Sequence, residues 1–128
     1  MSGLSSISNS TILLSHQTNL SILASSSNTY HNLGTSITIP RNGIIKVSFI
    51  GYGNTGANNY ISYKLTRNSN TYIPTSTITF TNSSAEQIII NNSASFEIPV
   101  LANDIIQFTA TNDSLTNTYI NDLVVILI

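Results

Sequence analysis

Apolar and polar side chains alternate with a period of two along most of this chain. In "TSITIP" (35–40), Ile37 and Ile39 share a face opposite Ser36 and Thr38, and Pro40 with "RNG" (41–43) closes the stretch as a turn. "IIKVSFI" (44–50) sets Ile45, Val47 and Phe49 on one face, with Lys46 and Ser48 on the other. "NYISYKLTR" (59–67) does the same with Ile61, Tyr63 and Leu65 before the turn signal "RNSN" (67–70). "STITFT" aligns Ile78 with Phe80, "EQIII" is a short apolar run, and "SFEIPV" aligns Phe96, Ile98 and Val100. Pro99 points the other way and marks an edge or a strand end. "LAND" turns into "IIQFTA", and "TYINDLVVILI" closes the chain as its most apolar strand. With "TILLS" near the start, these are about eight or nine strands. No apolar stripe at helical spacing exceeds two turns, and no fixed-period repeat is present. The pattern predicts an all-β, antiparallel sandwich or barrel.

Composition sharpens that reading. Ser, Thr and Asn make up 53 of the 128 residues, and Ile supplies another 20. Neutral hydrogen-bonding groups and β-branched side chains favour strands and turns over helices. Chains so rich in Ser and Asn are often disordered, but those are poor in apolar residues. Here 41% of residues are hydrophobic, so the chain folds, and its length is that of one domain.

Charged residues are only 7% of the chain, four cations against five acids. Four scattered cations cannot build the basic patch that nucleic acid requires. Without cysteine there is no disulfide or thiolate chemistry. No stretch approaches the roughly 18 apolar residues of a membrane span. The opening "MSGLSSISNSTILLS" has neither a basic segment nor an unbroken apolar one, and does not read as a secretion signal. The first charge is Arg41. Residues 1–30 therefore read as a neutral arm or leading strand ahead of a domain at 31–128. Its apolar side chains Ile12, Leu13, Leu14, Leu20, Ile22 and Leu23 are expected to pack on or beside a neighbouring subunit.

"GYGNTG" (51–56) matches G-x-G-x-x-G, the spacing that wraps a pyrophosphate. A dinucleotide site also needs a helix opening on the last glycine and an acid about 20 residues on. The following "ANNYISYKL" alternates like a strand, and the next acid is Glu86. The stretch reads as a hairpin loop whose glycines permit positive φ.

The acids Glu86, Glu97, Asp104, Asp113 and Asp122 are spread along the chain, and a catalytic pair of them would have to be assembled by the fold. Asp104 reads as a turn former. His16 and His31 lack nearby metal-ligating partners, and no serine sits in a G-x-S-x-G elbow. No catalytic, metal or cofactor site is expected. Tyr52, Tyr60 and Tyr72 fall in or beside expected loops, where their rings could meet a sugar or a partner. Sequons at Asn9, Asn19, Asn82, Asn91 and Asn112 are what so much Ser, Thr and Asn produces by chance.

The sequence of motifs "TSITIPRNGIIKVSFIGYG", "NYISYKLTRNSN", "SFEIPVLANDIIQFTATND" and "YINDLVVILI" resembles the small jelly-roll domains of viral structural proteins. These include phage fibre and tail modules, and the resemblance extends to tumour-necrosis-factor-like and C1q-like trimers. It covers residues 35 to 128. Asn103–Ile105 stands where those domains carry Gly-Asp-x-Ile. The resemblance implies a single antiparallel jelly roll, commonly trimeric, with a structural or attachment role. The expected function is thus a non-enzymatic subunit of a virus particle, a capsid, decoration or fibre protein. It would contact copies of itself, other virion proteins and a host-surface glycan, in the virion or outside the cell. The alternatives are an extracellular carbohydrate-binding or adhesive module and, more distantly, a hydrolase with paired carboxylates.

Overall fold

A computed structural model describes residues 10–23, 29–68, 71–112 and 117–128. Its strands are β1 (Thr11–Gln17), β2 (Leu20–Leu23), β3 (His31–Thr38), β4 (Gly43–Thr55), β5 (Tyr60–Arg67), β6 (Thr71–Tyr72), β7 (Ile78–Thr81), β8 (Ile88–Val100), β9 (Ile105–Asn112) and β10 (Asn117–Leu127). A single 3₁₀ turn, Pro74–Ser76, separates β6 from β7.

Two antiparallel sheets face each other. Sheet A runs β1-β10-β4-β8, with β2 also on β10; sheet B runs β3-β9-β5-β6, with β7 also on β5. β1 and β2 pair with successive parts of β10, and β6 and β7 with successive parts of β5, so each couple fills one lane. Eight lanes result. Apart from the β5–β6 hairpin, each passage from lane to lane crosses to the other sheet, which is the winding of a jelly roll. The expected all-β jelly-roll sandwich is the observed fold.

Alternation is what makes the two layers stick. Ile45, Val47 and Phe49 of β4, Ile98 of β8, and Ile120, Leu123, Val125 and Leu127 of β10 face inward from sheet A. They meet Leu33, Ile61, Tyr63, Leu65, Ile106 and Phe108 from sheet B, and all of these are buried. Each such side chain contributes about 1.5–3 kcal/mol by leaving water. Rings add to this: Phe49 and Tyr63 meet edge to face across the layers at 5.0 Å, and Tyr63 meets Phe80 of its own sheet at 6.1 Å.

Two sequence expectations need correction. "EQIII" and "SFEIPV" belong to one strand, because β8 pairs without a break from Gly43↔Val100 to Thr55↔Ile88. The polar interruption Asn91–Ser95 is tolerated on an edge strand, where one side of the backbone meets solvent. Pro99 sits near the end of that edge, as its lack of an N–H requires. "GYGNT" is likewise the second half of β4, not a hairpin loop. Gly51 and Gly53 do not have positive φ; Gly34 is the only glycine that does among the described residues. They are needed for close approach instead. A Cβ on Gly51 would lie 2.7 Å from Phe80 Cε2 and 2.8 Å from Tyr63 Cε2, and one on Gly53 would lie 2.9 Å from the Asn117 carbonyl oxygen.

The described part of the leader lies within sheet A of its own subunit, along β10. Leu13, Leu14 and Leu20 pack against the core, while Ile12 is 65% exposed. Ile22 and Leu23 belong to β2. Residues 1–9 and 24–28 lie outside the described residues.

Candidate functional site

The outer face of sheet A carries two depressions. Opposite the inward-facing set, β4 presents Ile44, Lys46, Ser48, Ile50 and Tyr52, and β8 presents Pro99, Glu97, Ser95, Ser93 and Asn91. β10 adds Ile126 beside Lys46, Val124 beside Ser48, Asn121 beside Ile50 and Tyr119 beside Tyr52. Two adjoining depressions form a trough across these strands, sharing Ser48, Ser95 and Val124. One, of about 450 Å³, reaches Lys46, Glu97 and Ile126. The other, of about 490 Å³, reaches His16, Ile50, Ser93 and Asp122. Both volumes fall in the roughly 300–1,000 Å³ range of small-molecule clefts.

Lys46 Nζ and Glu97 Oε1 lie 3.6 Å apart across the first depression, both more than half exposed, so the pair neutralises the site more than it stabilises the fold. Beyond the trough, toward the C-terminal end of β10, the face turns apolar. Ile12 faces Ile126, Ile44 faces Pro99, and Ile44 and Ile128 exchange both backbone hydrogen bonds. Ile12, Ile44 and Ile128 are 65%, 41% and 42% exposed. This strip crosses all four lanes of the sheet.

Tyr52, Tyr60 and Tyr72, the rings expected to meet a sugar or a partner, lie on different parts of the sandwich. Tyr52 lies within β4 on the outer face of sheet A, its ring 5.7 Å from that of Tyr119. Tyr60 heads β5 in sheet B, opposite Thr81. Tyr72, in β6, meets Tyr30 at 5.7 Å, and Lys64 Nζ sits 4.6 Å from the Tyr30 ring and 4.9 Å from the Tyr72 ring. A cation already occupies that aromatic pair. Tyr30 and Tyr119 gave no sign in the sequence, because each acquires its role only from a partner strand far along the chain.

The acids and histidines separate in the same way. Asp104 is buried in its turn: it accepts the Leu101 N–H at 2.9 Å and lies 3.3 Å from Arg67 Nε. That nitrogen lacks the alignment of a hydrogen bond, so the contact is electrostatic; Arg67 is anchored by donating Nη2–H to the Pro99 carbonyl at 2.8 Å. Glu97 and Asp122 line the trough, Glu86 lies in the β7–β8 loop, and Asp113 lies outside the described residues. His16 belongs to sheet A and His31 to sheet B. Among the described residues no three His, Asp or Glu side chains converge as metal ligands.

Two sequons prove structural. Asn82 is fully buried and donates to the carbonyls of Gly56 and Glu86 at 2.9 and 2.8 Å, tying the β4–β5 turn to the β7–β8 loop. Asn112, also fully buried, donates to the Asn54 carbonyl at 2.9 Å. Among the described residues no helix is long and apolar enough to cross a membrane.

No family model matches the chain, and no curated protein matches it in sequence. Solved structures do resemble it in shape. The globular domain of zebrafish complement 1qA aligns over 93% of this chain and 95% of its own, at 10% identity and a TM-score of 0.50. The C-terminal domain of a structural protein from sulfolobus turreted icosahedral virus aligns over 94% and 99%, at 20% identity and a TM-score of 0.39. A family 35 carbohydrate binding module from Clostridium thermocellum aligns over 92% and 97%, at 14% identity and a TM-score of 0.45. At such identities the likeness is one of fold, the jelly roll.

Proposed function

We propose that this protein is a non-enzymatic structural subunit of a virus particle, and that it assembles with copies of itself through the apolar strip at one end of the outer face of sheet A. The observation that carries the reading is the apolar strip of Ile12, Ile126, Ile128, Ile44 and Pro99. Exposed isoleucines from three lanes, joined by Pro99 of the fourth on one face, mark an interaction surface, unlike the scattered exposed residues of an ordinary monomer. The occupant is a second copy. Lys46 and Glu97 beside the strip neutralise each other, Arg41 and Arg67 at its margin are tied to backbone carbonyls of their own subunit, and a chain with a net charge of −1 offers little repulsion between copies. In the leader, Ile12 is the side chain assigned to the neighbour, since Leu13, Leu14 and Leu20 already pack on their own core. The virion setting and the trimeric count follow from the resemblance of the turn and strand motifs to viral jelly-roll modules.

Light scattering on the eluting protein tests this. The full chain is expected to elute as an oligomer with three copies, and Ile12→Ser with Ile44→Ser to shift it toward monomer without loss of β structure. A wild-type chain that stays monomeric at high concentration would overturn the reading.

A further inference from the structure

Two neighbouring strands bulge at the same level of sheet A. In β1, Leu14 faces Val125 and Gln17 faces Leu123, so three steps along β1 match two along β10. In β10, Asn121 faces Ile50 and Val124 faces Ser48, again three steps against two. Each bulge contains a non-glycine residue in the left-handed region: His16 at φ 50° and Asp122 at φ 51°. Histidine and aspartate enter that region more readily than most residues, yet the conformation is still held at an energetic cost. Bulges of this kind re-aim side chains and gather beside binding sites.

Both residues line the same depression of about 490 Å³, with Ser48, Ser93 and Ser95 around it and Ile50 and Val124 also on its wall. Among the described residues, neither the His16 ring nor the Asp122 carboxylate is engaged by a hydrogen bond or ion pair within the protein. Two strained positions on separate strands thus present polar groups to one cavity, and neither group serves the fold.

We infer that this depression binds a sugar residue of a glycan. The Asp122 carboxylate accepts hydrogen bonds from neighbouring hydroxyls of the ring. The serine hydroxyls and the His16 imidazole both donate and accept, as sugar hydroxyls require. Val124 and Ile50 offer an apolar surface to the ring's C–H face. Competing ligands fit less well. An anion would meet the Asp122 carboxylate, while the flanking cation, Lys46, is taken up by Glu97. A metal ion would find only two candidate ligand side chains here, Asp122 and His16. A lipid would bury three serine hydroxyls and a carboxylate. The site lies along the sheet from the Ile12–Ile44 strip, and it stands or falls separately from assembly.

Amide chemical shifts of the full-length, ¹⁵N-labelled protein, followed while mannose, galactose, glucose, N-acetylglucosamine and sialic acid are added in turn, test the inference. At least one neutral sugar is expected to shift the amides of Ser48, Ser93, Ser95 and Val124. Asp122→Asn should weaken that sugar roughly ten- to hundred-fold, the loss of a hydrogen-bonding charge. Asp122→Gly should lose binding equally while unfolding at the same or higher urea concentration, because glycine adopts the left-handed conformation freely. Three results would each overturn the proposal: no sugar moves these amides, Asp122→Asn binds as well as wild type, or the shifts cluster at Tyr30 and Tyr72 instead.

Discussion

The Tyr63 hydroxyl donates to the Tyr119 carbonyl oxygen at 2.7 Å, so a side chain of sheet B is hydrogen-bonded to the backbone of sheet A through the middle of the sandwich. Tyr63 is 3% exposed, and its ring also contacts Phe49 and Phe80. Burial pushes the phenol well above its ordinary value of 10.0, and a backbone hydrogen bond from Tyr52 offsets only part of that.

This placement gives the protein an alkaline liability. Ionisation of Tyr63 is easier in the unfolded chain than in the fold. Its contribution is therefore complete below about pH 10 and declines as pH rises toward the folded phenol's higher value, by roughly 1.4 kcal/mol per pH unit. Tyr63→Phe should lose about 1 kcal/mol at neutral pH with the hydrogen bond. Its stability should then fall less steeply than the wild type's above pH 10. Urea titrations of both proteins at pH 8 and at increasing alkalinity measure the difference; parallel curves would show that Tyr63 is not the group responsible.

Gly51 is the second point of tight fit between the sheets. Any side chain there would enter the space of the Tyr63 and Phe80 rings. Gly51→Ala is expected to destabilise by roughly 1–3 kcal/mol, the usual effect of overpacking a core. Ala57, exposed in the following turn, is the control: Ala57→Gly should change stability far less. Equal losses in thermal melts would mean that the glycine is not required for packing.

The strands with unbroken alternation were legible because each reports one buried face. Ile45-Val47-Phe49 and Ile61-Tyr63-Leu65 are inward exactly where their period of two puts them, and Asp104 closes the turn that "LAND" announces. Gly51 and Gly53 misled because glycine is locally a turn residue; what demands it here is a ring from the opposite sheet, invisible in a local window. The bulge at Asp122 did leave a trace. Inward residues run Thr118, Ile120, then Leu123, Val125, Leu127, and the step of three between Ile120 and Leu123 is the extra residue. The trough is legible only once β1, β10, β4 and β8 are side by side. Its serines sit at ordinary outward positions that alternation alone marks as solvent-facing.

Asp104 and Arg67 pin one end of the sandwich. The carboxylate is buried, receives the Leu101 N–H, and faces a guanidinium that also reaches the Pro99 carbonyl. Asp104→Ala leaves both the amide and the cation without it and should cost about 1–3 kcal/mol. Arg67 is one-third exposed, so water can take over part of its loss. Arg67→Met should therefore be milder than Asp104→Ala, and the double variant should lose less than the two single losses added together. Chemical denaturation of the four proteins reads this directly; additive losses would show that the two side chains act independently.

Assembly through an apolar, nearly uncharged face predicts a particular response to salt. Screening weakens interactions between charges and leaves the burial of isoleucine untouched. The charges near the strip are held within one subunit: Lys46 pairs with Glu97, Arg67 donates to the Pro99 carbonyl and Arg41 to the Leu127 carbonyl, so none needs a partner from the next copy. Raising sodium chloride from physiological strength to about 1 M, where the screening length falls to roughly 3 Å, should leave the oligomer intact or slightly tighter. Lowering the temperature should loosen it, since the hydrophobic contribution weakens on cooling. Ile12→Lys with Ile44→Lys should reverse the salt response as well as weaken association, because two like charges per copy would then repel and salt would relieve them. Light scattering across both salt series distinguishes the cases. An oligomer that dissociates in high salt would place the interface on charged groups, and the strip of isoleucines would not be what holds the subunits together.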